Sequence, residues 1–135
     1  YTTPSCASCR KAKKWFDQYK IPYSEKNIFS IKLSKEDIFR MLANSENGFD
    51  DIISTRSKVF KEKKLDPDNM SVQELIEFII DYPSVLKRPI IINENELQVG
   101  YNNEDITIFL PKELRNLDSF SDFDAEPINV KYSKK

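Results

Sequence analysis

Ala12, Trp15, Phe16 and Tyr19 fall at i, i+3, i+4 and i+7, with Arg10, Lys11, Lys13 and Lys14 mostly on other faces. That spacing predicts an amphipathic helix with one apolar stripe. Ahead of it, Tyr1 to Thr3 reads as the end of a strand, and Pro4, Ser5 and Cys6 lead into the helix. Behind it, Pro22 stops the helix and Tyr23 to Ile28 reads as a short strand, because proline lacks the amide a helix needs and β-branched and aromatic residues suit a pleated surface. The middle of the chain changes character. Ser34 with Asp37, and Ser71 with Glu74, are spaced as capping boxes, the first ahead of Ile38, Met41 and Leu42, the second ahead of Val72, Leu75, Ile76, Ile79 and Ile80. With one or two short helices between them, about Ile31 to Tyr82 is expected to be helical. "KRPIIINENELQVGY" then gives an apolar run, a polar turn at Asn93 to Glu96 and a second run, a hairpin signal. Asn102 and Asn103 are placed to cap a last helix carrying Ile106, Phe109 and Leu110 and stopped by Pro111. Residues 117–135 show no period of their own and read as a loosely held tail.

A chain of 135 residues is long enough for one domain with a true core. Its net charge of −1 argues against a generally basic nucleic-acid binder and leaves local patches to consider. Histidine is absent, which removes Ser-His-Asp and Cys-His catalysis and histidine-bound zinc. The only glycines, Gly48 and Gly100, stand too far apart for a phosphate-cradling loop. Two thiolates make half of an all-cysteine zinc site, so no metal and no cofactor is expected. No run of about 18 apolar residues occurs and no charged leader is visible, and a cytoplasmic protein without membrane attachment is the expectation, with Tyr1 standing where an initiator Met would be. What remains is thiol chemistry, anion binding by arginine, or partner binding.

The thiols are Cys6 and Cys9, in "YTTPSCASCRKAKK". At the start of a helix, residues three apart lie on nearly the same side, within the Cα separation of roughly 4.4 to 6.8 Å that a disulfide demands. Free N–H groups of the first turn and the helix dipole favour a thiolate at Cys6, and Arg10 and Lys11 add positive potential. Thiol pKa values of roughly 3.5 to 7.5 occur in such settings. Cys6 is then the first thiol to be oxidised and Cys9 its resolving partner, a pair that stops at the disulfide before irreversible oxidation. A bare C-x-x-C also fits two small buried residues. Its place between a strand and an amphipathic helix favours redox work. A purely structural bridge would close a tiny loop and stabilise little.

"YTTPSCASCRKAKKWF", "ISTRSKVF" and "RPIIINENELQVGYNNEDITIFLP" resemble the Spx-type redox-responsive transcription regulators of the ArsC (arsenate reductase-like) family, over about Tyr1 to Leu114. The resemblance implies an α/β, thioredoxin-like fold with a helical insertion: residues 1–30 and 83–116 as the core, 31–82 as the insertion and 117–135 as the tail. It implies a cis proline at Pro89. It implies binding to the C-terminal domain of the RNA polymerase α subunit, with no enzymatic turnover and with Gly48 at the interface, where the missing side chain lets another backbone approach. From the residues alone, Gly48 reads equally as a helix-ending glycine after Asn47. Arg56 and Arg88 match arginines that hold an oxyanion beside the thiol in arsenate reductases, and their forked donors would favour a Cys6 thiolate. Where those enzymes carry a further arginine, this chain has Gly100 and Tyr101, which speaks against arsenate reduction. Arsenate reductase or general thiol-disulfide oxidoreductase is the alternative. Arg56, Lys58, Lys61, Lys63 and Lys64 form a basic stretch opposed by Glu62. It reads either as a wet helix face or, under the resemblance, as placing Lys58 against promoter DNA, with contacts too few to bind DNA without polymerase. The ending "NVKYSKK" departs from the apolar or small-residue end that serves as a protease signal in the family. That puts a protease or adaptor partner for turnover in question.

Overall fold

The computed structural model of the protein describes residues 1–111. The expectations for the tail, and the end of the core at residue 116, lie outside these residues. The amphipathic stripe forms α1, Ala7–Gln18, with Cys9, Ala12, Trp15 and Phe16 buried. Two capping boxes start α2, Lys35–Ala43, and α5, Val72–Asp81, with Ser34 accepting from the Asp37 amide and Ser71 from the Glu74 amide. Each serine fills an amide orphaned at its helix start, and the acid three residues on returns the bond to the serine's own N–H. Between them lie α3, Phe49–Ile52, and α4, Lys58–Glu62, the latter capped by Ser57. The strands β1, Ile90–Ile92, and β2, Leu97–Val99, pair antiparallel with Ile91 opposite Gln98.

This hairpin is the middle of three layers. Side chains alternate across a strand, and Ile90, Ile92, Leu97 and Val99 face a cluster built from Ile38, Met41, Ile52, Leu75, Ile76, Ile79 and Val85. Ile91 faces the other way, onto Ala12, Trp15, Phe16, Tyr19, Ile106 and Leu110. Helical insertion, sheet, and α1 with the last turn are thus stacked in that order.

Three expectations are corrected. The Tyr23 to Ile28 segment is not a strand along its length. It pairs through one parallel bridge, Thr2 with Asn27, since a strand forms only where a partner runs beside it and Thr2 is the residue that does so. Tyr1 to Thr3 likewise holds its place by single contacts, trading bonds with Ile90 in both directions, 2.8 and 3.1 Å. The last helix is a 3-10 turn, Asp105–Phe109. Asn102, and not Asn103, holds its start by accepting from the Glu104 and Asp105 amides at 2.8 and 2.9 Å.

Candidate functional site

Cys6 is the N-cap of α1, and its sulfur accepts the Cys9 amide at 3.0 Å. The sulfur does what a serine or aspartate oxygen does at other helix starts, and a thiolate would do it better because the helix N-terminus carries partial positive charge. Cys6 and Cys9 are joined in a disulfide with their Cα atoms 5.2 Å apart. The two ends differ in access. Cys9 is 2% exposed, while Cys6 is half-buried and opens on a cleft of about 550 Å³.

The far wall of that cleft is made by tertiary structure. Ile53 bridges Leu86 in antiparallel fashion, with Ser54 donating to the Val85 carbonyl and Lys87 to the Ile52 carbonyl, both at 2.8 Å. These bonds lay the loop after α3 along the turn before β1, and so bring Arg56 and Arg88 into the cleft with Cys6. Arg88 donates to the Ser84 carbonyl at 3.3 Å and its guanidinium stands 6.0 Å from the centre of the Phe29 ring. Arg56 is exposed. Among the described residues no carboxylate pairs with either arginine. Two unneutralised guanidinium groups beside one accessible sulfur give a site that favours anions, whether the thiolate itself or a ligand. Gly100 also borders the cleft. Pro89 is buried and its peptide bond to Arg88 is cis.

Gly48 and Lys58 lie outside that cleft's lining. Gly48 does not end a helix: α2 closes at Asn44, and Gly48 is the N-cap of α3. Its φ of 67° and ψ of −133° form a backbone state L residues rarely adopt, and a Cβ there would meet nothing within 4 Å. Glycine is therefore required by the chain's path, not by internal crowding. Lys58 opens α4, is exposed, and pairs with Glu62 one turn on at 3.8 Å. Lys63 lies over the Tyr82 ring at 5.0 Å, so part of the charge of this basic stretch is engaged within the chain.

Sequence reasoning missed Ser54, Ser57, Ser84 and Lys87, which share the cleft, and Phe29, which lies under Arg88. Of these Ser57 alone carried a signal, as a cap ahead of α4. The others are placed by the bridge between residues 53 and 86. No group of acidic or thiol side chains suited to a metal occurs among the described residues, and none of their helices is long and apolar enough to cross a membrane.

Residues 1–109 match the model of the ArsC family. This chain belongs to the ArsC family. It is 51% identical over 115 residues to the global transcriptional regulator Spx 1 of Bacillus cereus, a match covering 85% of this chain and 88% of that one. Among solved structures, an ArsC-family-related protein from Bacteroides fragilis superposes with a TM-score of 0.71 at 27% identity, covering 79% of this chain and 92% of its own. The arsenate reductase of Vibrio cholerae reaches 0.71 at 19% identity over 82% and 94%, a likeness of fold. These relatives establish the α/β, thioredoxin-like architecture of the ArsC family for this chain.

Proposed function

We propose that this protein is a redox-sensing transcription regulator that binds the C-terminal domain of the RNA polymerase α subunit and is switched by the Cys6–Cys9 pair. The regulator role is carried by the 51% identity to a global transcriptional regulator over most of both chains. The switch is supported by the site: one accessible sulfur capping α1, one buried sulfur 5.2 Å away by Cα, and two arginines at the mouth.

A peroxide serves as the two-electron oxidant. The Cys6 thiolate attacks one peroxide oxygen, the O–O bond breaks, and the departing oxygen leaves as water or alcohol once protonated. Cys9 sulfur then attacks the Cys6 sulfenic acid, expelling a second water as the S–S bond forms. Two thiols have given up two electrons, and a cellular dithiol restores them by exchange. Closing the bond fixes the α1 start beside Arg88, and the two states differ in affinity for polymerase. Coupling of this kind is typically about 1 to 3 kcal/mol, or roughly 5- to 150-fold. Gly48 lies on the docking surface, Lys58 reaches promoter DNA only once polymerase is bound, and the protein works in the cytoplasm. Any protease or adaptor would read residues beyond Pro111.

The test is a titration of the isolated α C-terminal domain against reduced and oxidised protein. Binding with a Kd that changes between the two states is expected, and the change vanishes in Cys6→Ala. Absence of binding in both states overturns the reading. Because an L side chain at Gly48 strains the backbone, the informative control is D-alanine at this position. It adds a methyl group without leaving the observed φ and ψ. Weakened binding with an unchanged circular dichroism spectrum is expected.

The cleft itself favours one alternative. Arg56 and Arg88 beside Cys6 would also suit an oxyanion substrate of an arsenate reductase. Arsenate-dependent thiol consumption at an enzymatic rate, about 1 per second or faster, would decide for it.

A further inference from the structure

The cleft onto which Cys6 opens is one-sided in charge. Arg56, Lys87 and Arg88 line it, and no acidic residue does. The rest of its polar lining is hydroxyl-bearing: Thr3, Ser5, Ser54, Ser57 and Ser84. Lys87 donates to the Asp50 carbonyl at 3.2 Å, a neutral acceptor that leaves the ammonium charge uncancelled. Arg88 uses one N–H group on the Ser84 carbonyl at 3.3 Å, and its other donors remain. Hydrogen peroxide is neutral and gives such a lining nothing to hold.

We propose that Cys6 takes its oxidising equivalents from an anionic peroxide whose leaving group is a carboxylate-like oxyanion, with Arg56 and Arg88 as the residues that select it. The inference rests on the reading of Cys6 and Cys9 as a redox pair. Peroxymonocarbonate, formed from bicarbonate and hydrogen peroxide with loss of water, is the simplest such oxidant. The Cys6 thiolate attacks its outer peroxide oxygen and the O–O bond breaks. Sulfur loses two electrons, the peroxide oxygens gain them, and one proton is taken from solvent. Cys6 sulfenic acid and bicarbonate are the products. Cys9 then closes the disulfide and expels water, as with any peroxide.

Three features of the cleft support this. A planar guanidinium fork matches the paired oxygens of a carboxylate or carbonate, and a neutral peroxide has no such pair. Negative charge grows on the departing oxygens as the O–O bond breaks, so a cation beside the sulfur stabilises the transition state more than the ground state. Access agrees as well. Cys6 is half-buried and borders a cleft of about 550 Å³, ample for an anion of a few heavy atoms, whereas Cys9 is 2% exposed. The arginines thus have two separable effects: they favour the Cys6 thiolate, which speeds every oxidant alike, and they hold the anion, which speeds only one class.

A ratio of rates separates the two effects. The reduced full chain is oxidised by hydrogen peroxide alone and by peroxymonocarbonate pre-equilibrated from peroxide and bicarbonate, and disulfide formation is followed by mass spectrometry after quenching. The ratio of the two second-order constants should exceed that of a free cysteine thiol by about tenfold, less than the roughly 100- to 1,000-fold of a buried oxyanion hole because Arg56 is exposed. In Arg56→Gln, a surface change that leaves the fold intact, the ratio should fall most of the way to the free-thiol value. An equal slowing with both oxidants would mean that the arginine acts on the thiolate alone, and would overturn the proposal. In wild type the ratio should also fall as ionic strength rises from about 0.1 to about 1 M, where the screening length drops from about 10 to about 3 Å. A ratio indifferent to salt, or equal to that of the free thiol, would overturn it too. Disulfide formation by hydrogen peroxide with an unselective ratio leaves the redox reading standing while this inference falls; no disulfide with either oxidant fells both.

Discussion

Asp51 is the residue that shapes the loop containing Gly48. Its Oδ2 accepts the amides of Glu46 and Asn47, each at 2.9 Å, and its Oδ1 accepts the Asn47 side-chain amide at 3.3 Å. The Asn47 backbone bond is the largest influence holding the carboxyl below its ordinary 3.8; slight burial opposes it, and the Asn47 side chain and the Glu46 amide add to it. These bonds stabilise the ionised form, so a depressed folded pKa gives stability that is present above 3.8 and lost as pH falls through the folded value. The amide proton shifts of Glu46 and Asn47 should titrate together with a midpoint below 3.8. A midpoint at or above that value would mean the carboxylate does not organise the loop.

At the scale of elements, two helices end in the same unusual way. After α1, the Lys20 amide donates to the Asp17 carbonyl and the Ile21 amide to the Phe16 carbonyl, 3.2 and 3.0 Å. After α4, Lys64 donates to Lys61 and Leu65 to Phe60, 3.2 and 3.1 Å. Both are Schellman endings, each with an apolar residue, Ile21 or Leu65, folding back onto the core. Such endings favour glycine at the left-handed position, yet lysine stands there, at φ 58° for Lys20 and 52° for Lys64. Replacing either lysine by glycine removes the Cβ penalty, and Lys20→Gly and Lys64→Gly should each raise stability by up to about 1 kcal/mol in urea unfolding. The two gains should add, because the sites share no partner.

At the scale of the whole molecule, the hairpin ties two apolar clusters together. Ile79 is fully buried among the insertion helices, whereas Trp15 is buried on the opposite face of the sheet. If the insertion and the thioredoxin-like part fold as one unit, Ile79→Ala should cost about 2 to 5 kcal/mol. Trp15 fluorescence and far-ultraviolet dichroism should then still shift together along the denaturant axis. Separated transitions would mean that residues 31–82 unfold independently.

Local pattern alone determined α1, both capping boxes, the hairpin and its turn, because each depends on residues within a few positions of one another. The stripe of Ala12, Trp15, Phe16 and Tyr19, and Ser34 with Asp37, needed no distant partner to be read. The Tyr23 to Ile28 segment was misread because strand pairing depends on what lies alongside, which no window of sequence contains. Cys6 and Cys9 were legible as a pair from their spacing, and Arg56 and Arg88 from the family resemblance. Only the bridge of Ile53 to Leu86 puts the arginines beside that sulfur. Gly48 was legible as a glycine of interest, but its left-handed φ follows from a loop closed by Asp51. What the sequence determined were short-range hydrogen bonds and periodic burial; what the tertiary structure decided was which distant charges share a cleft, since electrostatics acts through space and not along the chain.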